Sequence, residues 1–349
     1  MRIVVGTMTG TSMDGVDAAK VRIDGFGESM SATFLQLESC ALGDAKKELL
    51  KLASTGGTCE EMDNAANVVG EITATTISKL DLDTVDLIAL HGQTIFHKPP
   101  KSIQLINPKP VTNTFPCTVL TDPRQRDLKL GGQGAPITPL ADWVMFRSAK
   151  ESTAIVNLGG FCNITVLPEN CQPNQIQGFD VCCCNLLLNA IAMERLGAEY
   201  DMNGDAALRG KVDETICNAL FESLSEQAQT GRSLGSNDDL GEYAIQIGKN
   251  IATEDLLASA VKAIGACISG STDAQCILLA GGGVHNKALC NAIKNCGTTE
   301  TLGVPTQARE AMAMAILGAL AQDGVSITLP SITGRSETSE CVGWSQASP

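Results

Sequence analysis

The sequence predicts an α/β fold of two domains, and three observations carry that prediction. The chain has 349 residues, which at about 150 residues per domain is roughly two domains. β-branched runs that read as strands precede segments of helical periodicity in both halves. A strand running into a glycine-rich turn occurs at 4–15, 155–162 and 278–285, so the halves look like variants of one unit.

In chain order, strands are expected at 2–6, 16–23, 87–90, 119–121, 154–158, 162–167 and 276–279. Helical spacing of apolar residues appears at 60–79, 186–196, 212–225, 253–269, 287–294 and 309–322. Residues 333–349 are polar and sparsely apolar and read as a surface tail. The expected domains are 1–140 with 323–349, and 141–322.

Hydrophobic residues make up 44% and charged residues 18%, enough for a packed core and wrong for disorder. Aromatics are only 3%, so that core must be aliphatic. The formal net charge of −14 argues against nucleic acid or an anionic membrane as partner. The longest apolar stretch, 311–321, falls short of the roughly 18 residues of a membrane span, and no signal-peptide pattern opens the chain. The 14 cysteines are scattered through apolar segments without any CxxC pair, and only His91, His97 and His285 could join them as metal ligands. That usage fits a reducing cytoplasm, with cysteines as small core residues.

The first glycine-rich turn reads Gly6-Thr-Met-Thr-Gly-Thr-Ser-Met-Asp-Gly15 and runs into a second strand. The second, Asn157-Leu-Gly-Gly160, does the same. Each is a hairpin whose tip bares backbone N–H groups that can cradle phosphate oxygens, or simply a tight hairpin. Two of them plus a strand–Gly-Gly-Gly–helix unit fit a nucleotide held between related domains. The Walker A loop, the GxGxxG fingerprint and the protein-kinase signature set are absent.

Gly10-Thr-Ser-Met-Asp-Gly-Val-Asp17 resembles the phosphate-binding hairpin of the anhydro-N-acetylmuramic acid kinase family, of the sugar kinase/Hsp70/actin-type superfamily. The resemblance continues through His91-Gly-Gln-Thr94, Asp122-Pro-Arg-Gln-Arg-Asp127, Gly131-Gly-Gln-Gly-Ala-Pro136, Asn157-Leu-Gly-Gly160, Asn163-Ile-Thr165 and Gly178-Phe-Asp180. Tyr200-Asp201 with Gly204, Gly281-Gly-Gly with Asn286, Glu310-Ala-Met-Ala and Leu329-Pro-Ser-Ile-Thr-Gly334 complete it, in the family's order along almost the whole chain.

The resemblance implies two related ribonuclease H-like domains with a nucleotide cleft between them, ATP and Mg²⁺, a 1,6-anhydro sugar as substrate, and a homodimer. Family members open the anhydro ring with water and phosphorylate the released O6, in recycling of peptidoglycan fragments. Asp180 matches the catalytic base; from the residues alone, an Asp ahead of a helix is also an N-cap. Gly10, Thr11, Ser12, Met13, Asp14, Gly15, Val16 and Asp17, with Gly159, Gly160, Gly281, Gly282 and Gly283, are the expected nucleotide contacts. No direct metal ligand is expected; Mg²⁺ would be met through water, with Asp14 nearest. Thr94, Arg124 and Glu310 match positions near the sugar, with His91 as support. Arg124 lies in a stretch, 98–129, of six cations against two acids, and suits a bidentate contact to the lactyl carboxylate. A levoglucosan-type kinase, a non-catalytic sugar or nucleotide sensor, and a cysteine-dependent redox protein are the competing readings.

Two departures stand out. After Gly-Phe-Asp the family usually reads Thr-Gly-Pro-Gly-Asn, whereas this chain reads Val181-Cys-Cys-Cys-Asn185. Asp142 stands where the family commonly has His.

Overall fold

The computed structural model describes the chain except residues 11–12, 230–233, 236–237 and 348–349. It divides into two compact units, Met1–Phe146 with Gly303–Pro349, and Arg147–Leu302.

Unit 1 begins with the antiparallel strands β1 (Arg2–Thr9), β2 (Gly15–Asp24) and β3 (Ser31–Ala41). Helices α1 (Ala45–Thr55) and α2 (Cys59–Ser78) follow, then β4 (Leu87–Leu90), parallel to β1. A separate hairpin of β5 (Gln93–Lys98) and β6 (Lys101–Leu105) precedes α3 (Lys109–Thr114) and β7 (Thr118–Thr121), which runs parallel to β4. Short helices α4 (Gln125–Lys129) and α5 (Pro139–Phe146) close this segment. The sheet order is therefore β3-β2-β1-β4-β7.

Unit 2 repeats that plan. Strands β8 (Thr153–Leu158), β9 (Phe161–Leu167) and β10 (Gln177–Cys183) are antiparallel. Helices α6 (Asn185–Leu196), α7 (Asp205–Arg209), α8 (Glu214–Gln229), α9 (Gly241–Ile247) and α10 (Thr253–Gly270) separate them from β11 (Cys276–Ala280). After α11 (Lys287–Ala292), β12 (Cys296–Thr298) pairs parallel to β11, which itself runs parallel to β8. The order β10-β9-β8-β11-β12, with the same strand senses, makes the second sheet a copy of the first. The sequence expectation of two related α/β domains is met in full.

The central strands owe their continuous apolar runs to burial on both faces. Val4, Val5 and all four residues of β4 are buried, as is every residue of β8. Each such Val, Ile or Leu contributes roughly 1.5–3 kcal/mol by leaving water.

The chain then returns to unit 1 with α12 (Arg309–Gln322), α13 (Pro330–Thr333) and β13 (Ser345–Gln346). Helix α12 is apolar nearly all round and packs on β1, β2, β4 and α5. Its approach to β1 is so close that a Cβ on Gly6 would lie 2.1 Å from the Ala311 carbonyl oxygen. This packing corrects the expected boundaries: α12 belongs to unit 1, so the crossings fall after Phe146 and after Leu302.

The expected surface tail is corrected too. β13 pairs antiparallel with β7, and Val342 and Trp344 are buried. Thr333 and Arg335 are also buried, their polar atoms met by Asp127 and Thr328. Polar composition hid this packing because the buried side chains of Thr333 and Arg335 find internal partners. Among the described residues no helix is long and apolar enough to cross a membrane.

Candidate active site

In unit 1 the hairpin joining β1 to β2 carries the first group of candidates. Thr11 and Ser12 lie outside the described residues. The Gly10 carbonyl accepts from Met13 N at 3.1 Å and from Gln93 Nε2 at 3.2 Å, which ties the tip to β5. Met13 and Val16 turn into a core with Leu49, Val69, Ile95 and Leu105, so their side chains anchor the hairpin. Gly15 has a packing reason as well, since a Cβ there would lie 2.6 Å from the Cys40 carbonyl oxygen. Asp14 is exposed and meets Lys46 Nζ at 2.6 Å. Asp17 is half-buried and accepts from the Ser39 hydroxyl. Burial raises the Asp17 carboxyl above its usual range, and the Ser39 bond opposes part of that rise.

Arg124 stands just before α4, held by three bonds. Its Nη1 donates to the Gly134 carbonyl at 3.0 Å, and Nε and Nη2 donate to His91 Nε2 at 3.1 and 3.0 Å. His91 is buried, and burial first, then Arg124, drives its pKa well below the usual value. A neutral ring that accepts at Nε2 carries its proton on Nδ1. His91 is thus a hydrogen-bonded structural histidine whose partner is Arg124.

The loop that supplies Gly134 is organised by Asp127, fully buried, which sequence reading treated only as part of a motif. Its Oδ2 accepts from Gly134 N at 2.7 Å and its Oδ1 from the Thr333 hydroxyl at 2.8 Å, with Arg335 Nε 3.7 Å away. A Cβ on Gly132 would collide with Asp127 Oδ2 at 2.1 Å, so the motif Gly131–Pro136 is built around this carboxylate.

Glu310 sits in the first turn of α12, partly buried. Its pKa is raised chiefly by burial, with Asp17 and Asp142 adding to the rise and Arg309 and Arg124 opposing it. Asp17 and Arg124 therefore each lie within electrostatic reach of Glu310, on unit 1. Thr94, on β5, is half-buried, and its hydroxyl accepts from Gln104 Nε2 at 3.3 Å.

In unit 2 the tip of the hairpin joining β8 to β9 is Gly159-Gly160. Their carbonyls accept from the amides of Cys184, Asn185 and Leu186, which pins the tip to the start of α6. At the end of β11, Gly281 has φ +82°, and a Cβ on it would lie 2.6 Å from Asn157 Oδ1. Gly283 lies as close to Leu158, whereas Gly282 faces open space. Gly281 and Gly283 let the two phosphate-loop candidates pack against each other, leaving Gly282 accessible.

Asp180 is inside β10, opposite Asn163, not in a loop ahead of a helix. The register shifts between Asp180 and Cys182, a bulge that re-aims the side chain. Its Oδ2 accepts from Leu234 N at 2.8 Å, and the N-cap position of α6 is held by Cys184, so Asp180 is not the N-cap of that helix.

Residues Val181 to Cys184, the departure beside Asp180, are fully buried and belong to the core of unit 2. Cys183 N donates to Gln227 Oε1 at 2.8 Å. Burial pushes the Cys183 thiol up to about 12 and the Cys184 thiol higher still. Cys182 rises through its contact with Cys267 and through burial. Thiols of this kind are core residues and not reactive thiolates.

The duplicated sheet, each copy opening on a glycine-tipped hairpin, is the ribonuclease H-like architecture of the sugar kinase/Hsp70/actin type. The family model for anhydro-N-acetylmuramic acid kinase matches residues 2–343, and the chain belongs to that family. Relatives that bear the name anhydro-N-acetylmuramic acid kinase include the following three. The one from Salinibacter ruber is 30% identical, over 96% of this chain and 94% of its own. That from Pseudomonas syringae pv. syringae is 32% identical over 95% of each chain. That from Bordetella avium is 32% identical over 95% of this chain and 93% of its own.

Proposed function

We propose that the protein is an ATP-dependent kinase that opens 1,6-anhydro-N-acetylmuramic acid with water and phosphorylates the released O6. The product is N-acetylmuramic acid 6-phosphate, and the setting is recycling of peptidoglycan fragments. Family membership across residues 2–343 carries the reading.

Asp180 takes the base's part. A carboxylate within hydrogen-bond reach of water removes its proton as the oxygen attacks the anomeric carbon. The Leu234 amide fixes one carboxylate oxygen, so the other keeps a defined direction. As the C1–O6 bond breaks, O6 becomes the nucleophile for the γ-phosphorus.

Unit 1 supplies groups suited to the sugar. Arg124, pre-oriented by His91 and the Gly134 carbonyl, offers its charge to the lactyl carboxylate. Thr94 and Glu310 supply polar contacts to the ring. For ATP, the backbone of residues 10–17 in unit 1, and Gly159, Gly160 and Gly281 to Gly283 in unit 2, supply the close approaches. The open face of Gly282 fits a nucleotide where a side chain would intrude. Mg²⁺ would neutralise charge on the triphosphate when bound. Its contact with the protein would run through water at Asp14 or Asp17. The proposal also includes a homodimer, a cytoplasmic location and, in keeping with the net charge of −14, no nucleic-acid partner.

A coupled ADP-release assay with anhydro-N-acetylmuramic acid and levoglucosan tests the reading. Wild type should turn over the first sugar and Asp180→Asn should not. ADP release with neither sugar defeats it.

A further inference from the structure

Asp180 is steadied by the Leu234 amide, so whatever holds Leu234 in place bears on the chemistry proposed for that carboxylate. Leu234 and Gly235 belong to no helix or strand. Gly235 and Asp238 clasp each other twice: Asp238 N donates to the Gly235 carbonyl, and Gly235 N donates to Asp238 Oδ2, both at 2.8 Å. The clasp draws these residues together but does not itself join them to the strand that carries Asp180.

Gln227 makes that join. It stands in the last turn of α8 and is buried. Its Oε1 accepts from Cys183 N at 2.8 Å, and its Nε2 donates to the Asp238 carbonyl at 2.6 Å. Cys183 lies on β10, three residues beyond Asp180 and past the bulge. The contacts close into a ring. It runs along β10 from Asp180 to Cys183, through the Gln227 carboxamide to Asp238, across to Gly235, and from Leu234 back to Asp180. Asp239 adds a second strut, its Oδ1 accepting from Gly241 N at 2.8 Å and lying 3.8 Å from Cys183 Sγ.

A carboxamide suits this place because it carries a donor and an acceptor on one planar group, and so spans two backbone groups at once. An aliphatic side chain of similar size would fill the space and bridge neither of them. We propose that Gln227 is a positioning residue for the reaction: it holds the Leu234 amide against the Asp180 carboxylate and thereby sets the direction in which Asp180 meets water. The inference rests on Asp180 acting as the base. Moving a reacting group by about 1 Å costs about 10²-fold in rate, so a residue behind the base can control kcat.

The test measures ADP release with anhydro-N-acetylmuramic acid in Gln227→Leu, with folding checked by urea unfolding. The kcat should fall about 30–100-fold while KM for the sugar and for ATP each stay within about 3-fold. In an Asp180→Asn background, adding Gln227→Leu should change the residual rate by less than about 2-fold, because residues that act as a unit are not additive. Asp238→Ala, which frees Gly235 N, should also lower kcat alone, by about 10-fold, and it decides the question if Gln227→Leu does not fold. Wild-type kcat in a folded Gln227→Leu overturns the proposal, as does a loss that appears in KM instead. An equal loss in the Asp180→Asn background also overturns it, since it marks a structural role; so does wild-type kcat in Asp238→Ala. A wild type without turnover, or a fully active Asp180→Asn, is a separate result: it removes the reading beneath the proposal before any Gln227 variant is compared.

Discussion

Arg309 and Asp142 form a buried ion pair in unit 1, with side chains 1% and 0% exposed. Arg309 Nε donates to Asp142 Oδ1 at 2.9 Å, Nη2 donates to Oδ2, and the Thr138 hydroxyl takes a further bond at 3.3 Å. Glu310 is the next residue along α12, so the pair fixes the helix end that bears it. The departure at Asp142 has its physical reason here: a neutral histidine would leave the Arg309 charge buried and uncompensated.

Breaking such a pair on one side is costly, whereas replacing both partners by apolar residues is often neutral. Asp142→Ala should lower stability by about 3–5 kcal/mol. The double variant Asp142→Leu/Arg309→Met should recover most of that loss. Urea unfolding of the three proteins checks this, and a double variant no more stable than Asp142→Ala would refute it.

Asp180→Asn keeps the shape of the side chain and removes its ability to take a proton. The rate of ADP release should fall by about 10²–10⁴-fold, while binding of a non-hydrolysable ATP analogue stays within a factor of about two. Parallel loss of nucleotide binding would reassign Asp180 to the fold.

Arg124→Ala should reduce kcat/KM for anhydro-N-acetylmuramic acid by about 10–150-fold, the equivalent of a charged hydrogen bond worth about 1.5–3 kcal/mol. Arg124→Lys should recover little, because a point charge cannot reproduce the fork held by His91 and Gly134. Inhibition by levoglucosan, which lacks a carboxylate, should change far less. Equal losses for both sugars would count against the carboxylate contact.

Buried His91 and half-buried His97 make stability depend on pH in a definite direction. His97 titrates near 4 in the folded chain against 6.5 when unfolded, and His91 lies well below 6.5 for the same first cause, burial. As pH falls through 6.5 the unfolded chain takes up protons that the folded chain does not, so stability is lost on acidification toward 4. The raised carboxyls of Asp17 and Glu310 act with the opposite sign, because the folded form holds their protons more tightly. Comparing His97→Asn with wild type cancels those carboxyls. The drop in urea midpoint from pH 7 to pH 5 should be smaller in the variant, and identical drops would contradict the burial argument.

Burial of Cys182, Cys183 and Cys184, with their raised thiols, argues against redox chemistry at that triplet. Under native conditions a thiol reagent should label the exposed Cys59 and leave Cys182, Cys183 and Cys184 untouched. Mass spectrometry locates the labels. Rapid modification of the triplet with loss of ADP release would revive a redox role.

The sequence made most of the architecture legible because the central strands are continuous apolar runs and the long helices keep their spacing; Leu87–Leu90 and Arg309–Gln322 are bounded as expected. Strand β3, half-buried along most of its length, and the hairpin of β5 and β6 gave too weak an alternation to find. β10 was hidden by Gly178 and by its buried run of Val181 and cysteines, so Asp180 was expected beyond a strand and stands within one. The residues proposed for phosphate and sugar stand in motifs visible in the sequence. The roles of Asp127, Arg309 and Gln227 were not legible there, since a polar residue with an internal partner carries no local signal of burial.

Where Gly6 meets Ala311, only a hydrogen atom separates strand from helix. Residue 6 therefore governs a carboxylate it never touches: a methyl group there would act as a wedge, shifting Glu310 while leaving its chemistry intact. Any retuning of this enzyme toward another sugar by movement of that helix must pivot on a point that tolerates no side chain at all.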